Sequence, residues 1–221
     1  QASHSDAQGH FNIDRRPIGR DYNNGKRDGQ MSTLPMQNFV SLCDGSAGIS
    51  FLNRNLIEFE VSEDAGRIVY LTLLRCVEVN ICTEGRCGTV ETGAEGPQCL
   101  GRHKFSLAVY PHSGTIHQCN LYGVMESYTL PPRMYQMSRT NGGTLPPAMS
   151  MMSLSNPLVQ LSCVKKAQDG DGLIVRIYNP TDAMQKCDIS FASKLKCAFI
   201  TDMAELKQSA LDVFDAAVNL E

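Results

Sequence analysis

Residues 158–166 read Leu-Val-Gln-Leu-Ser-Cys-Val-Lys-Lys, and after Asp-Gly-Asp-Gly at 169–172 the run Leu-Ile-Val-Arg-Ile-Tyr returns at 173–178. Two runs rich in β-branched residues, joined by a Gly-rich turn, are typical of an antiparallel hairpin. Further toward the N-terminus, Phe105, Leu107 and Val109 alternate with other residues, and Pro111 follows as the expected end of that strand. Such segments fill most of the chain, so the sequence predicts an all-β fold, a large antiparallel β-sandwich.

Two further segments predict strands in the middle of the chain. In one, Ile57, Phe59 and Val61 share a face directed at a core, while Glu58 and Glu60 share the opposite, solvated face. In the other, residues 67–77 are almost continuously apolar, which predicts a strand buried on both faces.

The rest of the chain gives weaker signals. Short strands are predicted at 189–191 and 197–200, one or two helical turns within 115–127, and helical periodicity only at 204–218. We expect one domain over residues 1–221, with 1–36 partly irregular. The chain lacks an initiator Met and a signal pattern, which predicts that it begins inside a longer, multidomain protein.

The composition limits the classes of partner. The net charge is −3 and no dense Lys/Arg stripe occurs, so nucleic-acid binding is not expected. Although 42% of the 221 residues are hydrophobic, no stretch approaches the roughly 18 uninterrupted apolar residues of a membrane span. The nine cysteines are scattered and mostly lie in apolar strands, where a thiol acts as a small hydrophobe. We therefore predict a reducing, cytoplasmic setting in a bacterium.

One stretch carries a specific resemblance. Residues 96–114, Gly-Pro-Gln-Cys-Leu-Gly-Arg-His-Lys-Phe-Ser-Leu-Ala-Val-Tyr-Pro-His-Ser-Gly, resemble a signature of the C-terminal region of glycoside hydrolase family 38, of the bacterial α-mannosidase and mannosylglycerate hydrolase type. Residues 11–20, 48–61, 71–77 and 161–180 resemble further segments of that family in the same order. As a set, these pieces cover roughly residues 9–205.

The resemblance implies a fold and a function. The fold would be the family's supersandwich, like that of galactose mutarotase, with the final family strand missing. The parent enzyme would hydrolyse α-mannosidic bonds by a retaining mechanism, with zinc held by two His and two Asp of an N-terminal domain. This chain would be an accessory domain that carries no catalytic residue, metal site or cofactor of its own. Its partners would be that catalytic domain, the α-mannoside substrate and possible homodimer mates.

Three residues are candidates for substrate binding: Arg75, Asn53 and His112. Arg75 is a charge within an apolar run, and the resemblance implies that an arginine from about this strand reaches the sugar cleft; a structural ion pair is the alternative. Asn53 lies in the family-like segment 48–61. His112 follows Tyr-Pro at a strand end, so it either hydrogen-bonds the next turn or faces a ligand.

Other constellations are weaker. Glu58 and Glu60 would lie about 7 Å apart, near the separation of glycosidase carboxylates, but a solvated face explains them more simply. Cys82, Cys87, Cys99 and His103 could form a zinc site, yet on one strand Cys99 and His103 would stand about 13 Å apart, which no single tetrahedral ion spans. Asp169 and Asp171 form a turn.

An autonomous carbohydrate-binding module is the alternative function. Sugars stack on exposed flat aromatic rings. The chain has no Trp and only 7% aromatic residues, which weakens this alternative. Aromatic side chains do occur in predicted loops: Tyr22, Tyr122, Tyr128 and Tyr135.

Overall fold

A computed structural model describes residues 1–19, 32–77, 79–80, 91–92, 95–138 and 142–220. These residues are nearly all β, with antiparallel strand pairing in each of their sheets, as the sequence predicts. The strands are β1 His4–Gln8, β2 Ile13–Pro17, β3 Leu34–Pro35, β4 Phe39–Cys43, β5 Ala47–Arg54, β6 Glu58–Val61, β7 Val69–Leu71, β8 Val79–Asn80, β9 Glu91–Thr92, β10 Ser106–Ser113, β11 Met152–Leu154, β12 Gln160–Lys166, β13 Leu173–Tyr178, β14 Cys187–Phe191, β15 Ala198–Thr201, β16 Lys207–Leu211, β17 Val213–Phe214 and β18 Ala217–Leu220. A 3₁₀ turn covers Gly96–Gln98 and one helix, α1, covers Leu121–Thr129.

The chain forms two compact units, residues 1–10 with 14–119 and residues 11–13 with 120–221. The single domain over 1–221 stays a prediction. Within the described ranges, no helix is long and apolar enough to cross a membrane.

The first unit contains a five-stranded sheet, in the order β10-β5-β4-β1-β2, and a smaller sheet, β3-β6-β7. Side chains of both sheets meet in one core, because alternate positions of each strand point to the same side. The buried members are Ala7, Met36, Val40, Leu42, Leu56, Phe59 and Val61.

One row of paired residues crosses the large sheet from this core to its edge. Ala7 pairs with Val40, Val40 with Phe51, and Phe51 with Val109. Residues that pair directly share a face of the sheet. Ala7 and Val40 are 0% exposed, Phe51 is half-buried, and Val109 on the edge strand β10 is 57% exposed. The apolar face that builds the core therefore runs on, uncovered, to β10.

The second unit has a four-stranded sheet, β11-β14-β18-β17, and the two hairpins β12-β13 and β15-β16. The hairpin β12-β13 confirms the prediction from residues 158–178, and β14 and β15 confirm the two short strands near 189 and 197. Helix α1 begins later than predicted and buries Leu121 and Met125.

Two predictions of secondary structure are wrong. Only Val69–Leu71 of the run 67–77 is a strand, and Leu73 and Leu74 are 47% and 42% exposed. The apolar run reflects exposed apolar surface rather than a strand buried on both faces. Residues 204–218 contain β16, β17 and the start of β18 instead of a helix.

Two finer predictions also need correction. Pro111 does not end its strand, because β10 is an edge strand of the described sheet, where a residue without an N–H is tolerated. Phe59 and Val61 are buried as predicted, but Ile57 precedes β6 and is 72% exposed.

Candidate functional site

Asn53 is fully buried near the end of β5 and is bound to its own chain. Its Nδ2 donates to the backbone oxygen of Gln37 at 3.1 Å, and its Oδ1 accepts the Leu56 N–H at 2.8 Å. Both the donor and the acceptor of the Asn53 amide are therefore used in hydrogen bonds that shape the segment after β5. Substrate binding by Asn53 stays a prediction, and its burial leaves it the weakest of the three candidates.

His112 lies over Gly48 and makes hydrogen bonds through both ring nitrogens. Its Nδ1 is 3.1 Å from the backbone oxygen of Gly114, which confirms the predicted bond to the following turn. Because that oxygen can only accept, Nδ1 is the donor in this hydrogen bond. Nε2 lies 3.0 Å from Ser50 Oγ and 3.3 Å from Ser41 Oγ.

The pair of serines beside His112 was not singled out in the sequence. Ser50 Oγ lies 2.8 Å from Ser41 Oγ, so two hydroxyls and an imidazole form one network. A hydroxyl beside an imidazole is the arrangement of a seryl nucleophile. Ser50 is 0% and Ser41 1% exposed, however, so a substrate cannot reach either oxygen. The network satisfies polar groups that are buried on the face of the sheet opposite Val40. Only the serines at alternate positions of β4 and β5 could have signalled it.

Arg75 is mostly exposed, whereas the sequence predicts a buried guanidinium. Its side chain is 68% exposed, and Nη1 lies 3.6 Å from Oε1 of Glu58, whose side chain is 15% exposed. The predicted alternative, an ion pair, is therefore present, and it leaves most of the guanidinium open to solvent. Of the three candidates, Arg75 is the one whose charged group can reach a ligand outside the unit.

Glu58 and Glu60 share a half-buried face of β6, beside the buried Phe59 and Val61. Glu60 stands opposite Tyr70 of β7, while Glu58 is paired with Arg75. A salt-bridged carboxylate at a partly solvated position agrees with a structural role for Glu58.

An ion pair between a buried aspartate and an exposed arginine of the same unit escaped the sequence analysis. Asp6 of β1 is 3% exposed and accepts two bonds from Arg15 of β2, Nε to Oδ1 at 2.7 Å and Nη2 to Oδ2 at 2.9 Å. His4 Nε2 is 3.8 Å from Asp6 Oδ2. The pair borders a pocket of about 260 Å³ lined by Gln1, Ser3, His4, Asp6, Arg15, Cys43, Asp44, Gly45 and Thr115.

The structure describes two of the four residues of the zinc site that the sequence offers as an alternative, Cys99 and His103. Cys82 and Cys87 lie outside the described residues. His103 binds the backbone oxygen of Cys99 through Nε2 at 2.7 Å. Within the described ranges, no three His, Cys, Asp or Glu side chains are grouped so as to hold a metal ion.

The loop tyrosines offer little stacking surface among the described residues. Tyr22 lies outside them, Tyr122 is 5% exposed and Tyr128 is half-buried. Burial, with Tyr178 nearby, raises the pKa of the Tyr122 phenol well above its usual range. Among the described tyrosines of this set, Tyr135 is open, at 76% exposed.

Comparison with known families matches residues 158–221 to the model described as "Glycosyl hydrolases family 38 C-terminal beta sandwich domain". The chain is 30% identical over 145 residues to a Halalkalibacterium halodurans protein named "Putative mannosylglycerate hydrolase", covering 66% of this chain and 15% of that protein. It is 29% identical over 82 residues to alpha-mannosidase G of Dictyostelium discoideum, covering 36% of this chain and 7% of that protein.

The fold is also found in a solved structure. An alpha-mannosidase from Enterococcus faecalis V583 superposes with a TM-score of 0.76 over 99% of this chain and 24% of its own, at 21% identity. This chain thus spans a small part of each relative's length. The resemblance to family 38 that the sequence shows is confirmed, as is the β-sandwich class.

Proposed function

We propose that this chain, which carries a family 38 C-terminal β-sandwich over residues 158–221, is an accessory domain of an α-mannosidase-type glycoside hydrolase. The parent hydrolyses α-mannosidic bonds, in oligosaccharides or in mannosylglycerate. Its catalytic residues and its zinc, which serves a retaining mechanism, belong to a part outside this chain. The isolated chain is inactive.

The observation that carries this proposal is the uncovered apolar face of β5 and β10. Val109 is 57% and Leu107 46% exposed, and Ile49, opposite Pro111, is 37% exposed. Exposed apolar patches continuous with a core mark interaction sites. Burying one such half-exposed side chain stabilises a contact by about 1 kcal/mol.

We propose that the rest of the parent enzyme covers this face. The Enterococcus structure matches nearly the whole of this chain and has about three quarters of its own length left over, which is ample material for such a partner. A homodimer mate is the second possible occupant. A solvent-facing edge strand with the exposed side chains of Leu107 and Val109 would otherwise favour aggregation.

Arg75 is proposed to contact the sugar at the border between this chain and the catalytic domain. A guanidinium suits this task because its planar fork donates several hydrogen bonds to neighbouring hydroxyls. The Glu58 carboxylate would hold the guanidinium in place through Nη1. The other guanidinium donors would remain open to the sugar.

A reducing, cytoplasmic setting in a bacterium is part of the same proposal. All seven cysteines among the described residues are free thiols: Cys43, Cys76, Cys99, Cys119, Cys163, Cys187 and Cys197. Free thiols at exposed positions such as Cys76 and Cys197 suit a compartment that keeps thiols reduced.

The proposal is tested with a chromogenic α-mannoside and added zinc. This chain is compared with the native protein extended toward the N-terminus. Turnover by the extended protein, together with none by this chain, is the expected result. Zinc-dependent turnover by this chain alone would overturn the accessory role.

A further inference from the structure

Strand β10 lies at one end of the five-stranded sheet in the described part of the chain. The N–H of Gly114 donates to the backbone oxygen of Ser46 at 2.8 Å, one step beyond the last residue pair of β10 and β5. Hydrogen-bonded and non-hydrogen-bonded pairs alternate along an antiparallel ladder. The residues at two-residue steps before Gly114, which are His112, Tyr110 and Ala108, therefore hydrogen-bond β5.

The positions between them direct their backbone groups away from β5. A bond on the other side of β5 supports this register: the Asn53 N–H donates to the Asn38 oxygen at 2.8 Å, and Asn53 stands opposite Leu107. Asn53 is therefore bonded toward β4, and the backbone of Leu107 points outward, as does that of Val109 two residues on. Pro111 occupies the next outward position, where its missing N–H costs no bond to β5.

The two ends of this sheet differ in charge. Strand β2, at the other end, reads Ile-Asp-Arg-Arg-Pro, whereas β10 reads Ser-Leu-Ala-Val-Tyr-Pro-His-Ser, with no Asp, Glu, Lys or Arg. Charged side chains and prolines protect the free edges of natural sheets against further pairing. Pro111 protects only the second half of β10. In the first half, Leu107 and Val109 have outward N–H groups and side chains that are 46% and 57% exposed.

We propose that a β-strand of the parent enzyme, from a part outside this chain, pairs with residues 107–109 of β10 and extends the sheet by one strand. Its backbone accepts the N–H groups of Leu107 and Val109 and donates to their oxygens. An apolar side chain opposite Val109 continues the row that runs from Val40 through Phe51. The source of this strand rests on the proposed function, which assigns the cover of this face to the rest of the parent.

The parent is a better source of the strand than a second copy of this chain. The Enterococcus structure has about three quarters of its length outside the part that matches this chain. A strand of the same polypeptide acts at an effective concentration on the order of millimolar. Two copies of β10 paired symmetrically about Val109 would place each Leu107 opposite the other copy's Pro111, which has no N–H to donate.

Hydrogen exchange of single backbone amides in the native full-length protein tests this pairing. Ala108 and Tyr110, which bond β5, are the internal controls within the same strand. We expect the amides of Leu107 and Val109 to exchange at least about 100-fold more slowly than an unprotected peptide, as the two controls do. Exchange of Leu107 and Val109 within about tenfold of the unprotected rate would overturn the proposal, whatever the rate of the controls.

The same measurement after about hundredfold dilution identifies the source of the strand. Protection by a strand of the same polypeptide does not depend on protein concentration. Loss of protection on dilution, together with a change from dimer to monomer mass in light scattering, would assign the edge to a second copy and overturn the proposal. Amide exchange does not require α-mannosidase activity, so failure of this pairing and failure of the proposed function can be recognised separately.

A pair of variants tests the outward N–H of Val109 itself. Val109→Pro removes this donor, whereas Val109→Ala keeps it and shortens the side chain in the same place. We expect the Leu107 amide to exchange about tenfold faster in Val109→Pro than in Val109→Ala, because the neighbouring bonds open more often. Equal exchange in the two variants would contradict a hydrogen bond at Val109. The wild-type measurement does not depend on the folding of either variant.

Discussion

The guanidinium of Arg75 and the carboxylate of Glu58 lie 3.6 Å apart, with the arginine side chain 68% and the glutamate side chain 15% exposed. An ion pair this open contributes little to stability, because water competes for both charges. The same openness leaves the remaining guanidinium donors available to a ligand. The ion pair therefore adds little to stability and leaves room for the sugar contact proposed for Arg75.

Arg75→Ala in the native protein should separate the ion pair from the proposed sugar contact. The thermal midpoint should change by less than about 2 °C, since an exposed pair is worth about 0–1 kcal/mol. We expect kcat/KM for an α-mannoside to fall about 10- to 100-fold, the range for losing one charge-assisted hydrogen bond. Arg102→Ala, at another exposed arginine, is the matched control. Unchanged kinetics would mean that Arg75 forms the ion pair with Glu58 and does not contact the substrate.

Asn53→Ala should act in the opposite way. It leaves the buried Leu56 N–H without its acceptor and removes a bond to Gln37, which costs about 2–3 kcal/mol. The thermal midpoint should drop by about 4–10 °C while KM for the mannoside is unchanged. Ile57→Ala, at a side chain 72% exposed, should leave the midpoint nearly unaltered. A raised KM without loss of stability would restore Asn53 as a substrate ligand.

His112→Ala should destabilise the first unit by about 1–3 kcal/mol, because the buried hydroxyls of Ser41 and Ser50 lose their shared partner. Denaturant unfolding measures this change, with the exposed His10→Ala as the control. A stable His112→Ala variant with impaired sugar binding would contradict the structural role.

Glu126 on α1 supplies a test by pH. Desolvation raises the pKa of this carboxyl above its ordinary 4.5, so the folded state binds the proton more tightly than the unfolded state. The stabilisation from protonated Glu126 is complete below about pH 4.5 and is lost as the pH rises through the raised folded pKa.

Glu126→Gln should therefore raise the thermal midpoint at pH 7 by about 1–2 °C, a modest effect because the side chain is only half-buried. The gain should shrink toward zero below pH 4.5. Glu63→Gln, at an exposed position, should show neither effect. A midpoint lowered by Glu126→Gln at pH 7 would rule out desolvation as the dominant influence on Glu126.

The elements that could be predicted from the sequence are those determined by residues close together along the chain. The hairpin β12-β13 follows from its turn residues, and the face shared by Phe59 and Val61 follows from alternation along β6. The run 67–77 was misinterpreted because apolar composition does not show which surface covers a segment. Pro111 was misinterpreted because its tolerance depends on β10 lying at an edge of the described sheet, which is a property of the sheet order.

The site was less predictable, for a related reason. Asp6 and Arg15 lie nine residues apart, as do Ser41 and Ser50, and His112 lies 62 residues beyond Ser50. Strand pairing, which composition does not show, brings these side chains together. The resemblance to family 38 was visible because its motifs keep their order along the chain. Arg75 could be singled out as an unusual charge, but its exposure could not be predicted.

The central claim is that the apolar face ending at Val109 is covered by the rest of the enzyme. Its most direct test is the α-mannosidase activity of the native protein carrying Val109→Asp, beside Met184→Asp at a side chain 84% exposed in the second unit. We predict that Val109→Asp loses most of its activity and that Met184→Asp retains it. Wild-type activity in Val109→Asp would contradict the claim, because a buried unpaired carboxylate cannot be accommodated in a packed interface.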